Sequence, residues 1–172
     1  MSSDRVMVFI DGSNLFRTCG ELDPPIRPDI FKLRDLLVSD RRHIRTYYFC
    51  SIGNPPKESQ LKFIDKLKAS HIEVVVKQLK YRGQNEEGKP IYVEKGVDIA
   101  LVTSMLSMAY ANAFDVAILV SGDDDYEQAV EEIKRVGKRV EIAFFEIATS
   151  REFKYSADDY ISLDEKIRSI KL

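Results

Sequence analysis

Apolar positions along the chain follow two patterns. Val6-Met7-Val8-Phe9-Ile10 and Val116-Ala117-Ile118-Leu119-Val120 are unbroken apolar runs, followed by Asp11-Gly12 and by Ser121-Gly122-Asp123. Runs of this length without polar alternation suit strands buried on both faces of a parallel sheet. Arg45 to Cys50, Glu73 to Val76 and Val140 to Phe145 predict further strands. Between them apolar residues recur at helical spacing. Ile30, Leu33 and Leu37 follow Pro28-Asp29, and Leu61, Ile64 and Leu67 follow Pro55-Pro56. Val97 to Tyr110 predicts another helix, and Tyr126, Ala129, Val130, Ile133 and Val136 form a stripe that stops at Gly137. Strands alternating with helices predict an open, layered α/β fold with right-handed crossovers.

Two stretches depart from this rhythm. Lys80 to Glu94 holds a polar turn, Gln84 to Pro90, between short β-like flanks, and predicts a projecting hairpin or loop. From Ser150 onward short helical and strand signals alternate, read as an extension over 150–172 packed on a single domain spanning 1–172. No repeat, low-complexity tract or linker interrupts the chain.

Composition narrows the class. A length of 172 residues suits one domain with a sizeable core. No apolar run approaches a membrane span, and Met1 to Val6 leads into the first strand without a basic region or cleavage site. Cys19, Cys50, His43 and His71 make neither a disulfide framework nor a zinc cluster. A cytoplasmic protein is expected. The formal net charge of −2 conceals an asymmetry: basic residues lead acidic ones by 17 to 13 over residues 1–95 and trail by 9 to 15 thereafter.

The acidic residues acquire meaning from their positions. In open parallel sheets ligands bind outside the carboxyl ends of the strands, where strand order reverses. Asp11 ends the first apolar run and Asp123 follows the other, so neighbouring strands would aim both carboxylates into one crevice. A turn role before Gly12 is the plainer account of Asp11. Asp98 opens a predicted helix on the face that carries Val102, Met105 and Ala109; the plainer account is a favourable carboxylate at a helix N-terminus. Asp125, with Gln128 three residues on, fits a capping box, whereas Asp123 has no such local role and Asp124 is free to face solvent. Carboxylates converging at ~4 Å repel by ~4 kcal/mol per pair at an effective dielectric near 20. Such a site raises its pKa values or binds a cation, and oxygen ligands without Cys or His select Mg²⁺ or Mn²⁺. Phosphodiester hydrolysis by an activated water is the chemistry that fits.

Three segments carry a family resemblance: Phe9 to Phe16 (FIDGSNLF), Lys95 to Leu106 (KGVDIALVTSML) and Leu119 to Ile142 (LVSGDDDYEQAVEEIKRVGKRVEI). In order and spacing they resemble the NYN (LabA-like) branch of the PIN-like nucleases. The resemblance implies a three-layer, doubly wound α/β fold with a mostly parallel central sheet and an acidic, metal-dependent ribonuclease site. By position the catalytic and metal-holding set is Asp11, Asp98, Asp123 and Asp125, with Asn14 and Ser121 as accessory polar groups. The family pattern usually reads Ser-Gly-Asp-Ser-Asp-Phe, and this chain has Asp124 and Tyr126 in place of the second Ser and the Phe.

An RNA substrate requires cations and stacking surfaces around the acidic centre. Candidates are Arg17, Arg41, Arg42, Lys57, Lys77, Lys80, Tyr81, Arg82 and, beside Asp98, Lys95. The expected activity is a divalent-metal-dependent endoribonuclease acting on single-stranded or loop RNA. A catalytically silent RNA-binding or regulatory protein of the same fold is the alternative, and a homo-oligomer stays open. An adhesion-type metal module is disfavoured because its Asp-x-Ser-x-Ser motif meets Leu15 at the last position.

Overall fold

The computed structural model describes residues 4–172; Met1 to Ser3, part of the lead-in to the first strand, lie outside the described residues. In chain order the elements are β1 (Arg5–Asp11), α1 (Gly12–Glu21), α2 (Ile30–Val38), β2 (Arg42–Ile52), α3 (Glu58–Ala69), β3 (Glu73–Gln78), β4 (Lys80–Gln84) and β5 (Pro90–Val93). There follow α4 (Val97–Tyr110), β6 (Val116–Val120), α5 (Glu127–Arg135), β7 (Arg139–Phe144), α6 (Arg151–Ser156), β8 (Asp159–Ser162) and α7 (Ile167–Ile170). Six strands form one sheet in the order β3-β2-β1-β6-β7-β8, and every neighbouring pair is parallel.

The two unbroken apolar runs are the two central strands, and the reason is visible in their packing. Val6, Val8 and Ile10 alternate onto one face, against Leu15 of α1, Leu33 of α2 and Leu67 of α3. Met7 and Phe9 pack on the other, against Leu101 and Met105 of α4, Val130 of α5 and Phe153 of α6. With helices on both faces, successive side chains are all buried and no polar alternation survives. The result is a three-layer α/β fold.

Several elements sharpen the expectation. The hairpin over 80–94 forms as a separate antiparallel pair, β4 and β5, outside the main sheet. Helix α1 carried no clear sequence signal, because Gly12, Ser13, Asn14, Thr18 and Gly20 are weak helix formers. It is held by burial of Leu15 and Cys19 and by the cap that Asp11 supplies. The stretch after Ser150 contributes α6 and the edge strand β8, and Asp29 N donates to the Ile170 carbonyl at 2.7 Å. Among the described residues no helix is long and apolar enough to cross a membrane.

A carboxylate cluster at the switch point of the sheet

Strand order reverses between β1 and β6, which pair in register from Val6–Val116 to Ile10–Val120. Asp11 and the loop Ser121-Gly122-Asp123 therefore leave the same end of adjacent strands, as the two apolar runs predicted. Asp11 is 2 % exposed. One carboxylate oxygen accepts from the Asn14 backbone N–H at 3.0 Å and caps α1; the other accepts from the Tyr126 hydroxyl at 3.0 Å. The same hydroxyl lies 3.1 Å from Asp98 Oδ1, at the start of α4. One phenolic proton thus serves two carboxylates. Burial raises the pKa of Asp11, opposed by the Asn14 and Tyr126 hydrogen bonds and reinforced by the charges of Asp98 and Glu94. Asp98 is raised as well, first by desolvation, with the charges of Glu94, Asp123 and Asp125 adding to it.

The Asp123-Asp124-Asp125 run divides its labour differently from the sequence expectation. A 3-10 turn, Asp124–Tyr126, precedes α5, and Asp123 caps it by accepting from the Asp125 backbone N–H at 3.1 Å. The capping role expected of Asp125 thus falls to Asp123, because the extra turn moves the start of α5 to Glu127. Asp125 is exposed, and its carboxylate has no hydrogen-bond partner among the described residues. Asp124 accepts from the Ser150 hydroxyl at 2.9 Å, across a cleft of about 530 Å³ that Arg17 and Asp123 also line.

Asn14 and Ser121 join the two loops. Asn14 Oδ1 accepts from the Gly122 backbone N–H at 3.1 Å and from the Ser121 hydroxyl at 3.3 Å. Ser121 Oγ in turn accepts from the Asp123 backbone N–H at 3.2 Å. Both side chains are buried, so Ser121 acts by fixing Asp11, Asn14 and Asp123. Lys95 is exposed and lines a second cleft with Lys77, Lys80 and Tyr81, beside the hairpin. Arg41 and Arg42 fall outside the site. They stand at the amino end of β2, where Arg41 pairs with Glu141 at 2.7 Å. A parallel strand places its first and last residues at opposite edges of the sheet, and only the carboxyl edge carries the cluster.

Two residues escaped the sequence reasoning. Glu94, just past β5, accepts from the Ser13 hydroxyl at 2.5 Å, and its charge acts on Asp11 and Asp98. Its only signal was proximity to Lys95-Gly96-Val97-Asp98, masked by its place at the end of a predicted loop. Tyr126 read as the first apolar member of a helical stripe. Its ring is buried as that stripe predicts, while its hydroxyl faces the carboxylates. Among the described residues no three His, Cys, Asp or Glu side chains stand close enough to hold one ion. The donor chemistry nevertheless fits a hard divalent cation: carboxylate oxygens of like charge, with no thiolate or imidazole among them.

A family model described as the NYN domain matches residues 5–164. The chain belongs to the NYN-domain family. Members are generally PIN-like nucleases. The chain is 26 % identical, over 169 residues, to the "Low amplitude and bright protein LabA" of Synechococcus elongatus, covering 96 % of this chain and 86 % of that protein. The fold is shared with VPA0982, a protein of unknown function from Vibrio parahaemolyticus, at a TM-score of 0.78 and 22 % identity over the full length of both chains.

Tyr126 is where this NYN domain departs from the Phe of the family pattern, and the structure gives the departure a contact. Tyr126→Phe keeps the buried ring but removes the hydroxyl that Asp11 and Asp98 share. Asp11 Oδ2 keeps its longer 3.4 Å contact with the Ser121 hydroxyl but loses a hydrogen bond worth about 1.5–3 kcal/mol at a carboxylate. Urea unfolding of Tyr126→Phe at neutral pH is expected to show a loss of that size, and an unchanged midpoint would refute the tether.

Proposed function

We propose that this NYN protein is a metal-dependent endoribonuclease that hydrolyses single-stranded or loop RNA. The observation that carries the reading is the meeting of Asp11 and Asp98, from separate elements, on one buried hydroxyl at the switch point. Asp123 and Asp125 lie near enough for their charges to act on Asp98. Asp11, Asp98 and Asp123 would have to close on Mg²⁺ or Mn²⁺ to hold it, with Asp125 assisting, because no three of these carboxylates stand close enough among the described residues. When bound, the ion supplies an activated water and neutralises charge on the phosphoryl oxygen. Asp125, exposed and unpaired among the described residues, is the carboxylate free to take the proton of the attacking water. Asn14, whose Oδ1 is held by Gly122 N–H and the Ser121 hydroxyl, would donate from Nδ2 to a phosphate oxygen. Lys95, with Lys77 and Lys80, offers charge to the flanking phosphates. In this reading residues 1–172 act as one cytoplasmic domain, with 150–172 as its packed extension.

A second reading is favoured by one observation. The carboxylates stand apart, with the Tyr126 hydroxyl between Asp11 and Asp98, and on that basis the protein binds RNA without cutting it. Incubation of the protein with single-stranded RNA in Mg²⁺, in Mn²⁺ and in EDTA separates the two. Cleavage in metal alone, weakened at least about a hundredfold in Asp98→Asn, is the expected result. Mn²⁺ is also expected to raise the melting temperature of the wild type, since an ion that binds only the folded chain stabilises it. RNA binding with no cleavage in either metal would leave only the silent reading.

A further inference from the structure

A cavity of about 460 Å³ opens between α1, the carboxyl end of β2 and α3. Gly12 and Ser13, the two residues after Asp11, form one of its edges. The walls carry three aromatic rings. Phe63 meets Phe16 edge-on at 5.8 Å between centroids and meets Tyr48 in the same way at 5.8 Å. Phe16 is 37 % exposed although the ring is large and apolar.

The polar groups in this wall are short of partners. The Tyr48 residue is 3 % exposed, and its hydroxyl has no hydrogen-bond partner among the described residues. Gln60 Oε1 accepts from the Lys57 backbone N–H at 3.1 Å, which fixes the amide and leaves its NH₂ available. No Asp or Glu lines the cavity, and Arg27 is its one charged side chain. The side chains that line it thus carry no negative charge, unlike the carboxylate cluster alongside.

We propose that this cavity is a base-binding subsite, holding one unstacked nucleobase of an RNA strand beside the phosphate presented at Asp11; it rests on the RNA-cleaving or RNA-binding reading above. A base is planar, with two faces that stack on aromatic rings and an edge of donors and acceptors. The rings of Phe16 and Phe63 supply stacking surface, and the Tyr48 hydroxyl and the Gln60 NH₂ meet the edge. An apolar side chain from a protein partner would fill the same volume and leave the Tyr48 hydroxyl and the Gln60 NH₂ without partners. A base locked in a duplex cannot enter a concave pocket, so the subsite selects single strands. A larger cavity of about 860 Å³, lined by His43, Arg45 and Glu73, lies at the amino edge of the sheet, away from the carboxylates.

The test is equilibrium binding in EDTA, followed by fluorescence anisotropy. The probes are fluorescein-labelled hexa-adenylate, hexa-uridylate and the abasic ribose-phosphate hexamer. Wild type is expected to bind a base-bearing strand at least about tenfold more tightly than the abasic one, the size of one stacked base. Phe16→Ala is expected to remove that preference while binding the abasic strand as wild type does. Gln60→Glu keeps the acceptor for Lys57 N–H and sets a negative charge against the strand, so it serves where Phe16→Ala fails to fold. Equal binding of base-bearing and abasic strands by wild type, wild-type discrimination in folded variants, or no binding of any strand would each overturn the subsite. Base-dependent binding without cleavage in Mg²⁺ or Mn²⁺ would overturn the nuclease reading alone. Cleavage indifferent to Phe16→Ala, with no base preference, would overturn the subsite alone.

Discussion

Asp11→Asn is expected to stabilise the protein while lowering RNA cleavage by at least about a hundredfold. The two effects have one cause. Asp11 is 2 % exposed and its neighbours Glu94 and Asp98 carry like charge, so its ionised form is disfavoured in the folded chain. The substitution keeps an oxygen to accept from the Asn14 N–H and to cap α1. It discards the charge, which folding does not need and a divalent cation does, and turns the second oxygen into an NH₂ to which the Tyr126 hydroxyl can serve as acceptor while donating to Asp98. A rise in melting temperature of about 2–4 °C at neutral pH, without added metal, corresponds to ~1 kcal/mol in a chain of this length. The pH dependence follows from the direction of the shift. Above the ordinary carboxylate range, near pH 4, the unfolded chain has lost a proton that folded Asp11 still holds. The folded state then binds more protons, so stability falls as pH rises through the window between the two values. Asp98 adds to the same trend, being raised as well. The wild type is therefore expected to lose stability with rising pH more steeply than Asp11→Asn in EDTA. Parallel profiles would show that Asp11 is not strained by its charge, and full cleavage by the variant would remove Asp11 from the mechanism.

Gly122→Ala is expected to cost about 3 kcal/mol or more, a large effect for one methyl group. A β-carbon there would lie 2.1 Å from the Ala148 carbonyl oxygen and 2.5 Å from Phe144 Cδ1. The first contact is with backbone in the turn Glu146–Ala148, so no side-chain rotation relieves it. Gly122 N–H also donates to Asn14 Oδ1, and moving the loop would pull Ser121 and Asp123 from Asn14 and Asp11. Gly20→Ala is the control. It lies within α1 with nothing within 4 Å of an added β-carbon, so the change is expected to stabilise by up to ~1 kcal/mol. Urea denaturation of the two variants should place them on opposite sides of wild type. A Gly122→Ala protein as stable as wild type would show that the loop is not held in this close approach.

Thiol chemistry plays no part in either expectation. Cys19 and Cys50 are both buried, and desolvation pushes each thiol up to about 11. Neither supplies a thiolate at neutral pH.

Much of the fold was legible in the chain because burial leaves a periodic trace. An unbroken apolar run can only be a segment covered on both faces, and β1 and β6 are the two most central strands. Their terminal residues then pointed to Asp11 and Asp123 without any knowledge of packing. Asp98 was legible from its place at the start of a helix, although it stands exposed beside the buried face of Val97, Leu101, Met105 and Ala109 rather than on it. Local hydrogen bonding was less so: the capping role moved from Asp125 to Asp123 because one 3-10 turn intervenes before α5.

What the sequence by itself determined was the alternation of strands and helices, the central pair of strands and the acidic residues at their ends. Each of these depends on interactions repeated at a fixed spacing, which composition and periodicity record directly. Only the tertiary structure decided which side chains meet. Tyr126 joins Asp11 to Asp98 from 115 and 28 residues away along the chain, Glu94 turns in on Ser13 across 81, and the aromatic cavity draws on α1, β2 and α3. Such contacts depend on how crossovers return to the sheet, and a single long-range meeting leaves no period in the sequence to read.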